Sequence, residues 1–269
     1  MPAVRKATRE LIRVFVDSYL YYTIETLDKN RSDQVTVDLK SNPFLYALLP
    51  DVPESAEVLS GFRYSTLGLD ECARLIALDH HQAAVRSYAT TGLVSRAAKS
   101  EIERQVSYFE AVAEQGNHAA KPTLEAMIEA VLGARRDDDL DERTIRADLY
   151  VLDKDGTEFF FEMKSPNPNK GQCLEVTQRI LRIHLLRGKP RPAVNGYFAM
   201  AYNPDGPTRE NYQWSISRTY MPFEQAVIIG EEFWNIIGGP TTFVELLEIY
   251  QEVGRNKAKY ILDSLAYGF

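Results

Sequence analysis

Apolar residues recur at helical spacing through the first half of the chain. Over 8–27, Leu11, Ile12, Phe15, Val16, Tyr19 and Leu20 share one face and predict an amphipathic helix. Asn42-Pro43 interrupts the chain before an apolar run at 44–49, which Pro50 and Pro53 end. Further helices are expected over 69–90 and 95–115. Thr123 suits the N-cap of a helix over 123–132, and Gly133 suits its stop.

The pattern changes near Thr144. Segments 145–152 and 157–164 read as strands, followed by a helix over 172–187 and a buried strand over 194–200. Segments 212–220 and 226–229 are strand-like. Helices are expected over 231–237 and 242–252, with a last one starting near Asn256. The order predicts an α/β fold: a central mixed sheet flanked by helices over 136–269, preceded by a helical region over 1–135. No linker separates the two, so the chain reads as a single unit over 1–269, with the 123–132 helix packed on the core.

The two strands around Asp153 carry the chemistry. Asp153-Lys154-Asp155-Gly156 suits a type I turn followed by glycine in the left-handed region, a three-residue hairpin loop. That turn pairs Asp153 with Thr157. Counting back, Tyr150 falls opposite Phe160, Asp148 opposite Glu162 and Arg146 opposite Lys164. By alternation, Leu149, Val151, Phe159, Phe161 and Met163 share a core face. Asp148, Glu162 and Lys164 share the other. Two carboxylates directly opposed across a strand pair repel, and a bound cation offsets that cost. Hard oxygen ligands without a nearby histidine suit Mg²⁺ rather than Zn²⁺. A lysine two residues from the glutamate can polarise the attacking water and stabilise charge developing on phosphorus.

Composition bounds this picture. A chain of 269 residues can bury a large core. The two cysteines, Cys72 and Cys173, lie far apart without a CxxC spacing, which excludes a disulfide framework and fits a reducing cytoplasm. No apolar run is long enough to span a bilayer, and the N-terminal stretch lacks the pattern of a signal peptide. The net charge of −7 argues mildly against nucleic acid, but binding follows the local field, not the sum.

Asp148 with Glu162-Met163-Lys164 resembles the PD-(D/E)XK nuclease signature, with Ala147 where that signature has proline. The segments Glu162 to Gly171, Tyr202-Asn203-Pro204-Asp205-Gly206, Ile229-Gly-Glu-Glu-Phe-Trp234 and Asn42-Pro43-Phe44 are similar to type II restriction endonucleases, most of all the TdeIII-type group. The resemblance implies a restriction-endonuclease-like core, Mg²⁺ as cofactor, double-stranded DNA as substrate and a homodimer acting on a near-palindromic site, with a G/C-rich target such as GGNCC. On this reading Asp148 and Glu162 ligate the metal and Lys164 assists the water. A repair or recombination nuclease of the same fold, and a DNA-binding protein with a vestigial site, are the alternatives.

Other residues receive weaker assignments. Glu175, Gln178 and Arg182 share a helix face. Lys170, Gln178 and Arg182 are candidate DNA contacts within a basic stretch that also holds Arg179, His184, Arg187, Lys189 and Arg191. Cations at a helix C-terminus are the plain alternative for the same stretch, and the nearness of Lys170 to the site favours DNA contact. Glu125 is read as an acidic residue favouring a helix N-terminus, although related nucleases draw an extra carboxylate from such a helix. His80-His81 is read as structural or surface. Asn203, Arg209, Gln213 and Arg218 are chemically able to read base edges.

Overall fold

A computed structural model describes residues 2–25, 41–49, 67–188 and 193–267. Pro50, Pro53, Lys189 and Arg191 lie outside the described residues. The chain divides into two compact units. One comprises Met1–His80, Tyr202–Tyr212 and Gly230–Phe269, and the other His81–Ala201 and Gln213–Ile229.

The first unit is helical. It holds α1 (Lys6–Glu25), α2 (Pro43–Leu48), α3 (Leu69–His80), α9 (Glu231–Gly238) and α10 (Thr242–Tyr267). Asn42 caps α2 by accepting from the backbone amides of Phe44 and Leu45, and Pro43 occupies the first turn, where its missing N–H costs nothing. α10 is a single helix where one over 242–252 and another from near Asn256 were expected, with Gly254 between them. That glycine is a contact point, not a stop. A Cβ there would fall onto the carbonyl oxygen of Leu48 and within 2.9 Å of that of Ala47, so the bare backbone lets α2 approach closely.

The second unit carries the sheet. Its elements are β1 (Ala83–Ser95), α4 (Arg96–Glu114), α5 (Leu124–Gly133), β2 (Leu140–Leu152), β3 (Glu158–Met163), α6 (Lys170–Arg187), β4 (Val194–Met200), α7 (Ser215–Tyr220), α8 (Phe223–Ala226) and β5 (Val227–Ile229). The five strands lie in the order β1-β2-β3-β4-β5. The first three are antiparallel, and β3, β4 and β5 are parallel. This is the expected mixed sheet flanked by helices, and Thr123 caps α5 as anticipated.

Two elements differ from expectation. The helix expected over 69–90 ends at His80, and β1 follows. Val85, Tyr88, Thr90, Thr91 and Val94 favour a pleated strand, and the long antiparallel ladder with β2 decides the matter. Residues 215–220 form α7 despite their strand-like composition, because Ser217 and its neighbours close local hydrogen bonds instead of joining a ladder.

The hairpin register is the one the turn dictates. The Asp153 amide donates to Thr157 O at 2.8 Å, Gly156 N donates to Asp153 O at 3.0 Å, and Gly156 has φ +87°. Tyr150 pairs with Phe160 and Leu149 with Phe161. Leu149, Val151 and Phe161 are fully buried, while Phe159 and Met163 are half-buried. The opposite face is also covered. Tyr150 and Phe160 pack there with Ile145, Ala147 and Ile183, the last from α6. Tyr88 stacks on Tyr150 with ring centroids 4.1 Å apart. Placing both Ala147 and Tyr150 in this cluster shifts the in–out alternation at Asp148. On the neighbouring strand, Ser87 adopts φ +49° between the paired residues Arg86 and Tyr88. The distortion frees Asp148 from the regular ladder.

Candidate active site

Asp148 lies at the point where the β2–β3 ladder ends. Its Oδ2 accepts the backbone N–H of Met163 at 2.9 Å, so a side chain takes over where the strand pairing stops. The same oxygen accepts from Lys164 Nζ at 3.0 Å. Lys164 Nζ also stands 3.8 Å from Glu162 Oε2. The ladder ends at Leu149–Phe161, so the expected cross-strand pairs Asp148–Glu162 and Arg146–Lys164 are not part of it. Asp148, Glu162 and Lys164 meet instead around the Lys164 ammonium group.

Glu162 is the unusual member. Its side chain is only 1% exposed, yet Oε1 has no hydrogen-bond partner. Burial disfavours the ionised form, and the charge of Asp148 adds to that. Arg179 and Lys164 pull the other way, leaving the pKa raised to about 7. A buried carboxylate oxygen left unsatisfied costs on the order of 1–3 kcal/mol or more. Among the described residues no group of three or more His, Cys, Asp or Glu side chains is arranged to hold a metal ion.

The second oxygen of Glu162 is held by Arg179. Its Nη1 donates to Glu162 Oε2 at 2.7 Å, and its Nη2 donates to Glu175 Oε1 at 2.6 Å. α6 positions this arginine through its cap: Asn169 and Gln172 form a reciprocal capping box that fixes where the helix begins. Packing of Val176, Ile180 and Ile183 then orients the helix on the sheet.

The family model "Type II restriction endonuclease, HinfI" matches residues 15–254. The chain belongs to the HinfI family of type II restriction endonucleases. It is therefore a site-specific endonuclease of double-stranded DNA, a hydrolase of restriction–modification. Similar proteins extend over the whole length. Type II restriction enzymes HgiBI and HgiEI of Herpetosiphon aurantiacus are each 38% identical, over 98% of this chain and 99% of the relative. HgiCII, from the same organism, is 36% identical over 98% of both. No solved structure matches the chain. No helix among the described residues is long and apolar enough to cross a membrane.

The remaining sequence candidates of this HinfI-family chain are dispersed. Arg182 and Arg179 line one cleft, and Arg182 also donates to Gln178 Oε1 at 3.3 Å. Lys170 is engaged elsewhere, with Glu110 and Glu114 each at 2.5 Å and the Tyr220 ring at 5.0 Å. Arg187 turns inward to Glu158 at 3.0 Å and to Thr90. Glu125 occupies the first turn of α5 beside a second cleft lined by His184, Asn195 and Tyr197. His80 bonds the Ala3 carbonyl, and His81 bonds Asp153 at 3.0 Å, steadying the hairpin turn. Arg209 is locked to Glu232 at 2.7 and 2.8 Å. Arg218 lies 4.6 Å from the Phe223 ring, and Asn203 bonds within its own loop.

Arg179 is the residue that sequence reasoning passed over. It appears in the sequence only as one cation in a basic run. The available signal is its i,i+4 spacing from Glu175 on a helix that follows Lys164 directly.

Proposed function

We propose that Asp148 and Glu162 hold Mg²⁺ and that Lys164 assists the attacking water, in a site of the PD-(D/E)XK type with Ala147 replacing the proline. The observation that carries this reading is Lys164 Nζ bridging two carboxylates of which one, Glu162, has a buried and unpartnered oxygen. Such an oxygen, beside a second carboxylate and without histidine or cysteine, suits a hard cation. When bound, Mg²⁺ lowers the pKa of water and screens the phosphate oxygens.

The chain's own residues supply the rest. Asp148 is fixed by the Met163 amide, which leaves its Oδ1 available. Lys164 orients and polarises a water beside both carboxylates and stabilises charge on the pentavalent phosphorus. Arg179 favours the ionised form of Glu162 against the effect of burial and orients the carboxylate. Cleavage leaves 5′-phosphate and 3′-hydroxyl ends. Further parts of this reading are a homodimer on a near-palindromic target such as GGNCC, a cytoplasmic setting, a chain working as a single unit, kinship with the TdeIII-type group, and DNA contacts from Lys170, Gln178 and Arg182. The pairing of Lys170 with Glu110 and Glu114 makes it the weakest of those contacts.

The test is cleavage of plasmid DNA by the parent chain and Lys164→Ala. The parent is expected to give discrete fragments with Mg²⁺ or Mn²⁺ and none in excess chelator. Lys164→Ala is expected to bind DNA but cut at least ~100-fold more slowly, the scale of losing one transition-state donor. Full activity in chelator, or a lysine variant cutting within a few-fold of the parent, contradicts the assignment.

A further inference from the structure

A cleft of about 670 Å³ opens beside the site, walled by β1, α4, β2 and α6. Its charged lining is wholly cationic: Lys99, Arg143, Arg146, Arg179 and Arg182. Its floor is apolar, formed by Val94, Ile102, Ile145 and Leu185, and among the described residues Thr144 is its one neutral polar lining side chain. Arg179 belongs to both places, since it lines the cleft while holding Glu162.

The cations differ in their engagement. Arg143 donates to Asp141 at 3.1 Å, and Arg182 to Gln178. Among the described residues the side chains of Lys99 and Arg146 have no hydrogen bond or ion pair, although Arg146 is exposed and Lys99 half-exposed in a field of like charge. Arg143 and Arg179 have carboxylate partners, whereas Lys99 and Arg146 stand among like charges without one among the described residues, a cost that an anion relieves. A lining that offers donors and almost no acceptors also suits phosphate better than base edges. Donors alone reach only acceptor edges such as guanine O6 and N7, whereas every phosphate along a strand offers acceptors.

We infer that this cleft seats the sugar-phosphate backbone of the strand being cut, beside the scissile phosphate, with Lys99, Arg143 and Arg146 as phosphate contacts. The inference rests on the reading of Asp148, Glu162 and Lys164 as the cleavage centre. The apolar floor faces the sugars, and the rim cations neutralise phosphates flanking the cut. These contacts give affinity and register without carrying sequence information.

The test uses the full chain and a duplex containing the sequence that the parent cuts, mapped on plasmid DNA. Binding is measured in chelator across a salt series. Lys99→Gln, Arg143→Gln and Arg146→Gln are each expected to weaken binding and to lower the slope of log K against log salt by about 0.9. Arg143→Lys and Arg146→Lys should restore the parent slope, because a phosphate needs charge and not a planar fork. Neutral methylphosphonates at the phosphates flanking the cut should weaken the parent but add little to the glutamine variants. All three positions lie outside the core, and thermal melts of the lysine and glutamine forms separate lost contacts from lost folding.

Glutamine variants with the parent's slope overturn the cleft assignment and leave the cleavage centre standing, provided that Glu162→Gln is inactive. Lysine variants that keep the glutamine slope, or that change the sequence cut, also overturn it, in favour of base reading. If Glu162→Gln cuts like the parent, the cleavage centre itself is misplaced, and the cleft loses its scissile neighbour.

Discussion

Arg179 holds Glu162 by a 2.7 Å hydrogen bond from Nη1 to Oε2, across 17 residues of sequence. The contact joins the helix after the hairpin to a buried carboxylate that would otherwise face Asp148 with Lys164 as its sole cation. Groups that orient metal ligands without binding metal typically contribute 10–100-fold in metal affinity or activity. Arg179→Met is expected to lower cleavage at fixed Mg²⁺ by roughly that factor and to raise the Mg²⁺ concentration for half-maximal rate. Arg179→Lys should recover part of the loss. A Mg²⁺ titration of plasmid cleavage checks both, and an unchanged midpoint in Arg179→Met removes the positioning role.

Gly254 makes a prediction about the helical unit. Alanine has the higher helix propensity, by about 1 kcal/mol, which alone would stabilise α10. Here its Cβ would meet the carbonyls of Leu48 and Ala47. These are backbone atoms, which cannot swing aside, so overpacking costing about 1–3 kcal/mol or more decides the sign. Gly254→Ala should lower the midpoint of chemical denaturation, and a raised midpoint would mean that α2 yields freely.

His184 predicts how stability depends on pH. The ring is half-buried near Leu124, Ile128 and Tyr197, and burial pushes its pKa down to about 4. The unfolded chain titrates near 6.5. Between those values the unfolded state takes up a proton that the folded state refuses. Stability is therefore fully present above about pH 6.5 and is lost as pH falls toward 4. Denaturation of the parent and His184→Leu at pH 7.5 and pH 5 should show the larger acid loss in the parent. Equal losses would mean that the ring charges freely where it stands.

Much of the fold and of the candidate site can be read from local chemistry. The Asp153-Lys154-Asp155-Gly156 turn fixes the hairpin register as far as Leu149–Phe161, but Asp148 reaches Lys164 through a break in the strand alternation that the turn does not dictate. What escapes the sequence depends on distant partners. β1 begins with Ala83-Ala84, which suits a helix as well as a strand, and only its ladder with β2 decides. Arg179 reaches Glu162 because of the way α6 lies on the sheet, which no spacing rule gives. That α10 runs unbroken from 242 past Asn256 needs α2 packed against the bare backbone of Gly254. The covered second face of the hairpin, with Tyr150 and Phe160 beneath Ile183, likewise needs the packed structure.

The account stands most directly on Glu162. Glu162→Gln keeps the shape, removes the charge and relieves the cost of burying a carboxylate. The variant should fold at least as stably without metal and should still bind the target duplex. With Mg²⁺ present, plasmid cleavage should fall by at least ~100-fold. Cleavage within a few-fold of the parent, by a variant shown to be folded and bound, would contradict the assignment of Asp148, Glu162 and Lys164 as the cleavage centre.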